Sequence, residues 1–237
     1  MSNLIIRNDL ELKSGLSWIR QAFILFRERP LHFLFLEILN TAFMFLPFIS
    51  AFVTPLFTAK FMYLAGKTKK VESFSINEIF KIFNNSFVTR LAFLNFCLST
   101  ILLILQFLIE SKYPNLSASG YSLTLLLTIP TLILGVAMWL SPAICLNYET
   151  PPKIAMLLSI KASFKNILPL LIYSVVIASI SLVIMIPLGA FFIWLWSVSH
   201  SVILITPFAI IAYLICVIWF SILNISTYFA YITIFRQ

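Results

Sequence analysis

Two side chains of opposite charge lie where an apolar stretch should carry none. Glu37 and Lys60 stand eleven residues before and twelve after Phe48, at the turn between two apolar runs. With about 1.5 Å of helical rise per residue, both lie roughly 16 to 18 Å from that turn, at similar depth on antiparallel neighbours. An isolated charge at the centre of a membrane span costs roughly 2.5 to 3.5 kcal/mol, so pairing, snorkelling or a wet cavity must offset it. Asn40, one turn beyond Glu37, and His32, further toward the inner end, extend a candidate intramembrane polar site of Glu37, Asn40, Lys60 and His32. Two readings are open. Glu37 is a protonatable or cation-binding group held by Lys60, or Lys60 snorkels to nearby headgroups and Glu37 follows as its structural partner.

No other constellation points to catalysis. Gly15, Gly66, Gly120, Gly135 and Gly189 are too scattered for a phosphate-cradling loop. His32 and His200 fall on opposite sides of the expected topology, and Cys97, Cys145 and Cys216 share no paired spacing, so no metal site or disulfide framework is indicated. Glu37, Glu110 and Glu149 are not paired within any one span, and no serine has a G-x-S-x-G context. The expectation is a protein without catalytic residues, metal or cofactor. Pro55, Pro130, Pro142, Pro187 and Pro207 fall within apolar runs. Each removes a backbone donor and frees a carbonyl, which kinks a span or helps to build a ligand site. Ser174, Ala178, Ser179 and Ser181 would allow close helix packing.

The elements that carry these residues follow from composition. Of 237 residues, 61% are hydrophobic and 10% charged, far from the roughly 25% charged residues of soluble domains. Too few polar side chains are available to cover a soluble surface, so lipid supplies the missing solvent. About 20 apolar residues cross the hydrocarbon core, and six runs qualify: 31–46, 50–66, 91–109, 122–146, 168–194 and 202–223. The first two are short and form a hairpin around Pro47; one long span to Val53 followed by a re-entrant piece would separate the basic residues that flank them.

With six spans and both termini inside, every lysine and arginine except Lys112 faces the cytoplasm, as basic residues near span ends should. Trp194 and Trp196 then mark an outer interface, and Tyr63, Tyr148, Trp219 and Tyr228 lie near inner ends. The net charge of +8 is accounted for by anionic lipid and topology rather than by nucleic acid. The first thirty residues lack the pattern of a secretory signal, so the first span is expected to stay in the mature chain.

Three stretches preceding spans show helical rather than continuous apolar periodicity. In 14–29, Leu16, Trp18, Ile19, Ala22, Phe23, Leu25 and Phe26 oppose Arg20, Gln21, Arg27 and Glu28, with Ser14 as an expected cap and Pro30 as the stop. In 75–87, Ile76, Ile79, Phe80, Phe83 and Phe87 oppose Asn77, Glu78, Lys81, Asn84 and Asn85. In 153–167, Leu157, Ile160, Phe164 and Ile167 line up, with Lys161 and Lys165 crowding the edge. A single membrane domain results: an amphipathic segment 1–30, hairpin 31–66, loop 67–90, hairpin 91–146, loop 147–167, hairpin 168–223 and tail 224–237. Three amphipathic helices would lie in the headgroup plane of one leaflet as a cytoplasmic collar, or brace the bundle.

The chain resembles a family of uncharacterised six-span proteobacterial inner-membrane proteins. These are similar in pattern to the membrane domain of some glycerophosphoryl diester phosphodiesterases. The resemblance is carried by Gly15-Leu16-Ser17-Trp18-Ile19, Ala22-Phe23-Ile24-Leu25-Phe26-Arg27 and Pro30-Leu31; by Ser141-Pro142-Ala143, Pro151, Ser159, Ala162, Asn166 and Pro169; and by Tyr228-Phe229-Ala230-Tyr231 with Phe235. It departs near the end, where the nearest proline, Pro207, lies twenty-one residues before Tyr228. The resemblance implies an all-α, multi-pass membrane fold and no chemistry. The functional expectation is an accessory or membrane-organising protein acting at the cytoplasmic leaflet on membrane lipids, on another membrane protein or on a second copy of itself. The alternative is a small-solute or lipid transporter with its site near Glu37 and Lys60.

Overall fold

The computed structural model describes residues 5–44, 46–70, 85–112, 121–199 and 202–236. Residues 75–84 of the second amphipathic stretch, 113–120 of the polar loop, and His200 lie outside them. Among the described residues the protein is all-α apart from one short strand pairing. In chain order come β1 (Ile5–Ile6), α1 (Ser14–Glu28), α2 (Pro30–Met44), α3 (Pro47–Lys69), α4 (Ser86–Lys112), α5 (Tyr121–Tyr148), α6 (Pro152–Lys165), α7 (Ile167–Ser199), α8 (Val202–Ile234) and β2 (Phe235–Arg236).

Five of these helices, α3, α4, α5, α7 and α8, are long and apolar enough to cross a membrane. Half of α3 is buried within the protein, but almost none of α4 or α7 is. Phe107 of α4 is 68% exposed and Val183 of α7 is 72% exposed. Helices that turn apolar side chains outward all round need an apolar surrounding. α2 is also apolar but has only 15 residues, a rise of about 22 Å against roughly 30 Å of hydrocarbon. Length alone therefore does not make it a span, although 31–46 reads as one by composition.

Within the single domain read from the sequence, the chain forms two compact units, Met1–Ile38 with Asn166–Gln237, and Leu39–Lys165. In the first unit, β1 pairs antiparallel with β2, Ile5 opposite Arg236 and Ile6 opposite Phe235. The Arg7 N–H donates to the Ile234 carbonyl at 2.9 Å, and Asn166 Nδ2 donates to the Arg7 carbonyl at 2.9 Å. Arg7 also bonds Asp9 through both ends of its guanidinium, each at 3.0 Å. That contact raises the guanidinium pKa above its ordinary value, but it is exposed and so adds little stability.

α1 packs on α7 and α8. A Cβ on Gly15 would collide with the Pro169 carbonyl and come within 3.0 Å of the Tyr173 nitrogen, so only glycine lets these backbones approach so closely. One turn on, Trp18 is fully buried. Its Nε1 donates to Thr233 Oγ1 at 3.0 Å, and its ring meets Tyr173 edge-on with centroids 5.5 Å apart. Tyr173 Oη and Ser226 Oγ share a 2.5 Å hydrogen bond, and Trp219 Nε1 donates to Ser181 Oγ at 2.9 Å, joining α8 to α7. Ser14 is the first helical residue of α1 rather than its cap; the cap position is Lys13, which makes no side-chain bond there. The stop is as expected, since Arg29, with φ −144° and ψ 59°, leaves the helical region just before Pro30.

The C-terminal stretch 224–237, read as a tail, continues α8 to Ile234. Ile225, Phe229, Ala230 and Ile234 are buried. Thr227 and Thr233 fold their hydroxyls back onto the carbonyls of Leu223 and Phe229. No proline or glycine follows Pro207 to end the helix earlier, and back-bonding removes the polarity that makes these residues look like a boundary.

In the second unit, side chains from neighbouring helices bond main-chain groups of α3 and α5, on α3 where a proline interrupts the helical ladder. Pro55 lies inside α3 and cannot donate to the carbonyl of Ala51, four residues earlier. Asn95 Nδ2 of α4 supplies the missing donor at 2.6 Å. In α5, Ser159 Oγ of α6 donates to the Val136 carbonyl at 2.8 Å and accepts from the Leu140 N–H at 3.2 Å. The hydroxyl thus bonds both ends of one i, i+4 rung, two residues before Pro142. α6 buries Ala155, Ser159, Ala162 and Ser163, while Leu157 and Phe164 are exposed. Its small face grips the protein and its large apolar face is outward. Asn85 Oδ1 caps α4, accepting from the Phe87 and Val88 amides at 3.0 and 3.1 Å, so Phe87 belongs to α4 rather than to the preceding amphipathic stretch.

The Pro55 and Asn95 arrangement yields a conditional prediction. Asn95→Ala should lower stability by about 1 to 3 kcal/mol, because it strands the Ala51 carbonyl. In a Pro55→Ala background, where a helical amide reaches that carbonyl, the same substitution should cost clearly less. Unfolding in detergent, followed by circular dichroism, measures both. An equal loss in both backgrounds would mean that Asn95 acts elsewhere.

Candidate functional site

α2 carries a buried acid. Phe33, Leu36, Glu37 and Asn40 are buried, whereas Leu31, Phe35 and Ile38 are exposed. That is the alternation a helix shows when one side faces protein. Glu37 is 1% exposed, and its Oε2 accepts from Asn224 Nδ2 of α8 at 2.8 Å. One turn earlier on both helices, Ser221 Oγ donates to the Phe33 carbonyl at 3.4 Å. Ser221 and Asn224, three apart on α8, therefore meet Phe33 and Glu37, four apart on α2.

Lys60, on α3 in the second unit, is 1% exposed. Its ammonium lies 5.0 Å from the centre of the Phe57 ring, within cation-π range. Asn40 is buried, and His32 is half-buried near the start of α2. The structure brings Glu37 to Asn224 and Lys60 to Phe57. Neither Asn224 nor Ser221 is a candidate from sequence: 224–237 reads as a tail, and Ser221 is a single serine near the end of the apolar run 202–223. An asparagine and a serine three residues apart on one apolar helix were the available signal. Among the described residues no three His, Cys, Asp or Glu side chains gather as metal ligands.

No family model matches the chain, and no curated protein or solved structure matches it. The site therefore has to be read from its own geometry.

A second feature lies on α1. The sequence opposes Phe23 and Leu16 to Arg20 and Arg27, but the structure divides the apolar residues differently. Trp18, Ala22, Leu25 and Phe26 are buried, whereas Leu16, Phe23 and Ile24 are exposed. Leu16, Arg20, Phe23 and Arg27 together line an open groove of about 520 Å³, with Val176 and Ile180 of α7 as the facing wall. The Arg27 guanidinium lies over the Phe23 ring, 5.4 Å from its centre. Tertiary burial has claimed one apolar stripe and left a second, which the two arginines share. A separate cleft of about 280 Å³ between α3 and α4 is walled by Phe48, Ile49, Phe52, Phe93 and Phe96. With no polar side chain, it cannot choose among apolar occupants.

The contact between Glu37 and Asn224 predicts a coupled loss. Glu37→Ala and Asn224→Ala should each destabilise the protein by about 1 to 3 kcal/mol, and the double variant should lose less than their sum. Glu37→Gln keeps an acceptor oxygen and should retain most of the stability. Strict additivity in a double-mutant cycle, read from unfolding in detergent, would remove the proposed contact.

Proposed function

We propose that this is a six-span protein of the bacterial inner membrane, with both ends cytoplasmic, akin to the uncharacterised proteobacterial proteins it resembles. It has no catalytic role and engages membrane lipid at the cytoplasmic leaflet. The observation that carries the lipid reading is the exposed apolar stripe of α1, set against the outward face of α7 and mixed with arginine. A helix anchored in the protein by Trp18 and Phe26, with Leu16 and Phe23 left uncovered, offers lipid a fixed docking edge.

The pairing of β1 with β2 supports the even crossing number. Two strands hydrogen-bonded to each other share one side of a bilayer. Five long helices alone make an odd count; α2, whose contacts advance in the same direction as α8, would have to cross at a steep angle to that helix to restore parity. The orientation rests on the placement of lysine and arginine. Transport around Glu37 and Lys60 is the second reading, favoured by the near-complete burial of both charged groups. The Asn224 contact gives Glu37 a structural task that transport does not require.

Two measurements test these readings. In a background without the native thiols, Glu11→Cys and Arg236→Cys should react with a membrane-impermeant reagent in inverted vesicles and not in spheroplasts. Reaction of either in spheroplasts would overturn the topology. Mass spectrometry after gentle extraction should find a recurrent lipid class bound to the full chain, and that lipid should be lost in Ile180→Trp, which fills the groove. A stoichiometric protein with no retained lipid would replace the lipid reading with one of assembly.

A further inference from the structure

The groove between α1 and α7 has more chemical character than a lipid-facing surface needs. Arg20 and Arg27 are seven residues apart on α1, two turns of helix, or about 10.5 Å along the axis. Phe23 lies between them on the same stripe and carries the Arg27 guanidinium on its ring face. A group held above Phe23 is therefore within reach of both guanidinium forks. Among the described residues neither arginine has a carboxylate partner. Two cations without a carboxylate partner among the described residues, set in a largely apolar groove, are complementary to an anion that brings apolar mass with it.

The apolar part of the occupant is set by the facing wall. Val176 and Ile180 line the groove, and Val183, one turn further on α7, is outward-facing. These residues mark a continuous apolar track from the arginines along a helix that turns most of its surface outward. A soluble phosphate ester would leave this track uncovered. A zwitterionic phospholipid would bring its own cation toward two arginines that no carboxylate among the described residues pairs with.

We propose that the groove binds one anionic glycerophospholipid, its phosphate between Arg20 and Arg27 and an acyl chain along Val176, Ile180 and Val183. This rests on the lipid reading above and adds headgroup selectivity to it. The lipid fills the stripe of α1 that the protein leaves open, and Phe23 holds the Arg27 guanidinium beside the phosphate.

The full chain, placed in nanodiscs holding equal amounts of phosphatidylglycerol and phosphatidylcholine, is released for native mass spectrometry. The wild type should retain one phosphatidylglycerol with a preference of about tenfold over phosphatidylcholine, which offers the same phosphate but brings a quaternary ammonium toward the two arginines. The double variant Arg20→Gln/Arg27→Gln should lose that preference at an unchanged thermal midpoint, since both side chains are exposed. Arg20→Lys/Arg27→Lys should keep only part of it, because an ammonium cannot bind bidentately. Equal retention of both lipids by the wild type, abolished by Ile180→Trp, would overturn the headgroup selectivity and leave the lipid reading standing. No retained lipid at all would overturn both. Displacement of phosphatidylglycerol by millimolar glycerol 3-phosphate would assign the site to a soluble ester and likewise overturn the proposal.

Discussion

In hydrocarbon no water is available to finish a broken hydrogen bond, so each backbone amide and carbonyl must be satisfied within the protein. The fold is organised around that constraint. Where α3 loses a donor at Pro55, Asn95 reaches across from α4 to the Ala51 carbonyl. Where α5 approaches Pro142, Ser159 of α6 bonds both members of the Val136 and Leu140 rung. At the junction of α6 and α7, Asn166 bonds the carbonyl of Arg7. These polar side chains are scarce and buried, and each is committed to a main-chain group on another segment. They fix which helices are neighbours with a directionality that uniform apolar packing between greasy helices lacks.

The same constraint explains which parts of the fold were legible in the sequence. Long uncharged runs announce α4, α5 and α7, because only a helix can carry so many apolar residues through lipid with its backbone satisfied. Pro30 gives the end of α1, and the prolines mark where freed carbonyls occur. The answering donors are harder to find, since nothing local connects Asn95 to Ala51, or Ser159 to a rung some twenty residues earlier. Gly15, Ser159, Asn166 and Pro169 are points of close backbone approach or inter-segment bonding. Pattern alone registers such positions without giving their reason.

Other features were misread for identifiable physical causes. The stretch 224–234 looks like a tail because threonine, serine and asparagine interrupt its hydropathy. In the helix, two threonine hydroxyls turn back on the preceding carbonyls, and Asn224 spends its amide on Glu37. Periodicity placed the apolar residues of α1 on a single face, yet a helix wedged against two partners can use one stripe for each environment. Of the polar residues picked out from sequence, Glu37, Asn40 and Lys60 are buried and His32 is half-buried. Burial was thus foreseeable from their setting in apolar runs, but the identity of the Glu37 partner was not.

The closure of the first unit by its terminal strands sets an order on biogenesis. Leu39–Lys165 is contiguous, so its helices can find one another while the ribosome is still extending the chain. β1 and α1 emerge well before the surfaces they fit, on α7, α8 and β2. Until α7 and α8 have been made, Trp18 and Phe26 have no pocket to enter. A chaperone, an insertase or the lipid surface itself has to shelter them through that interval.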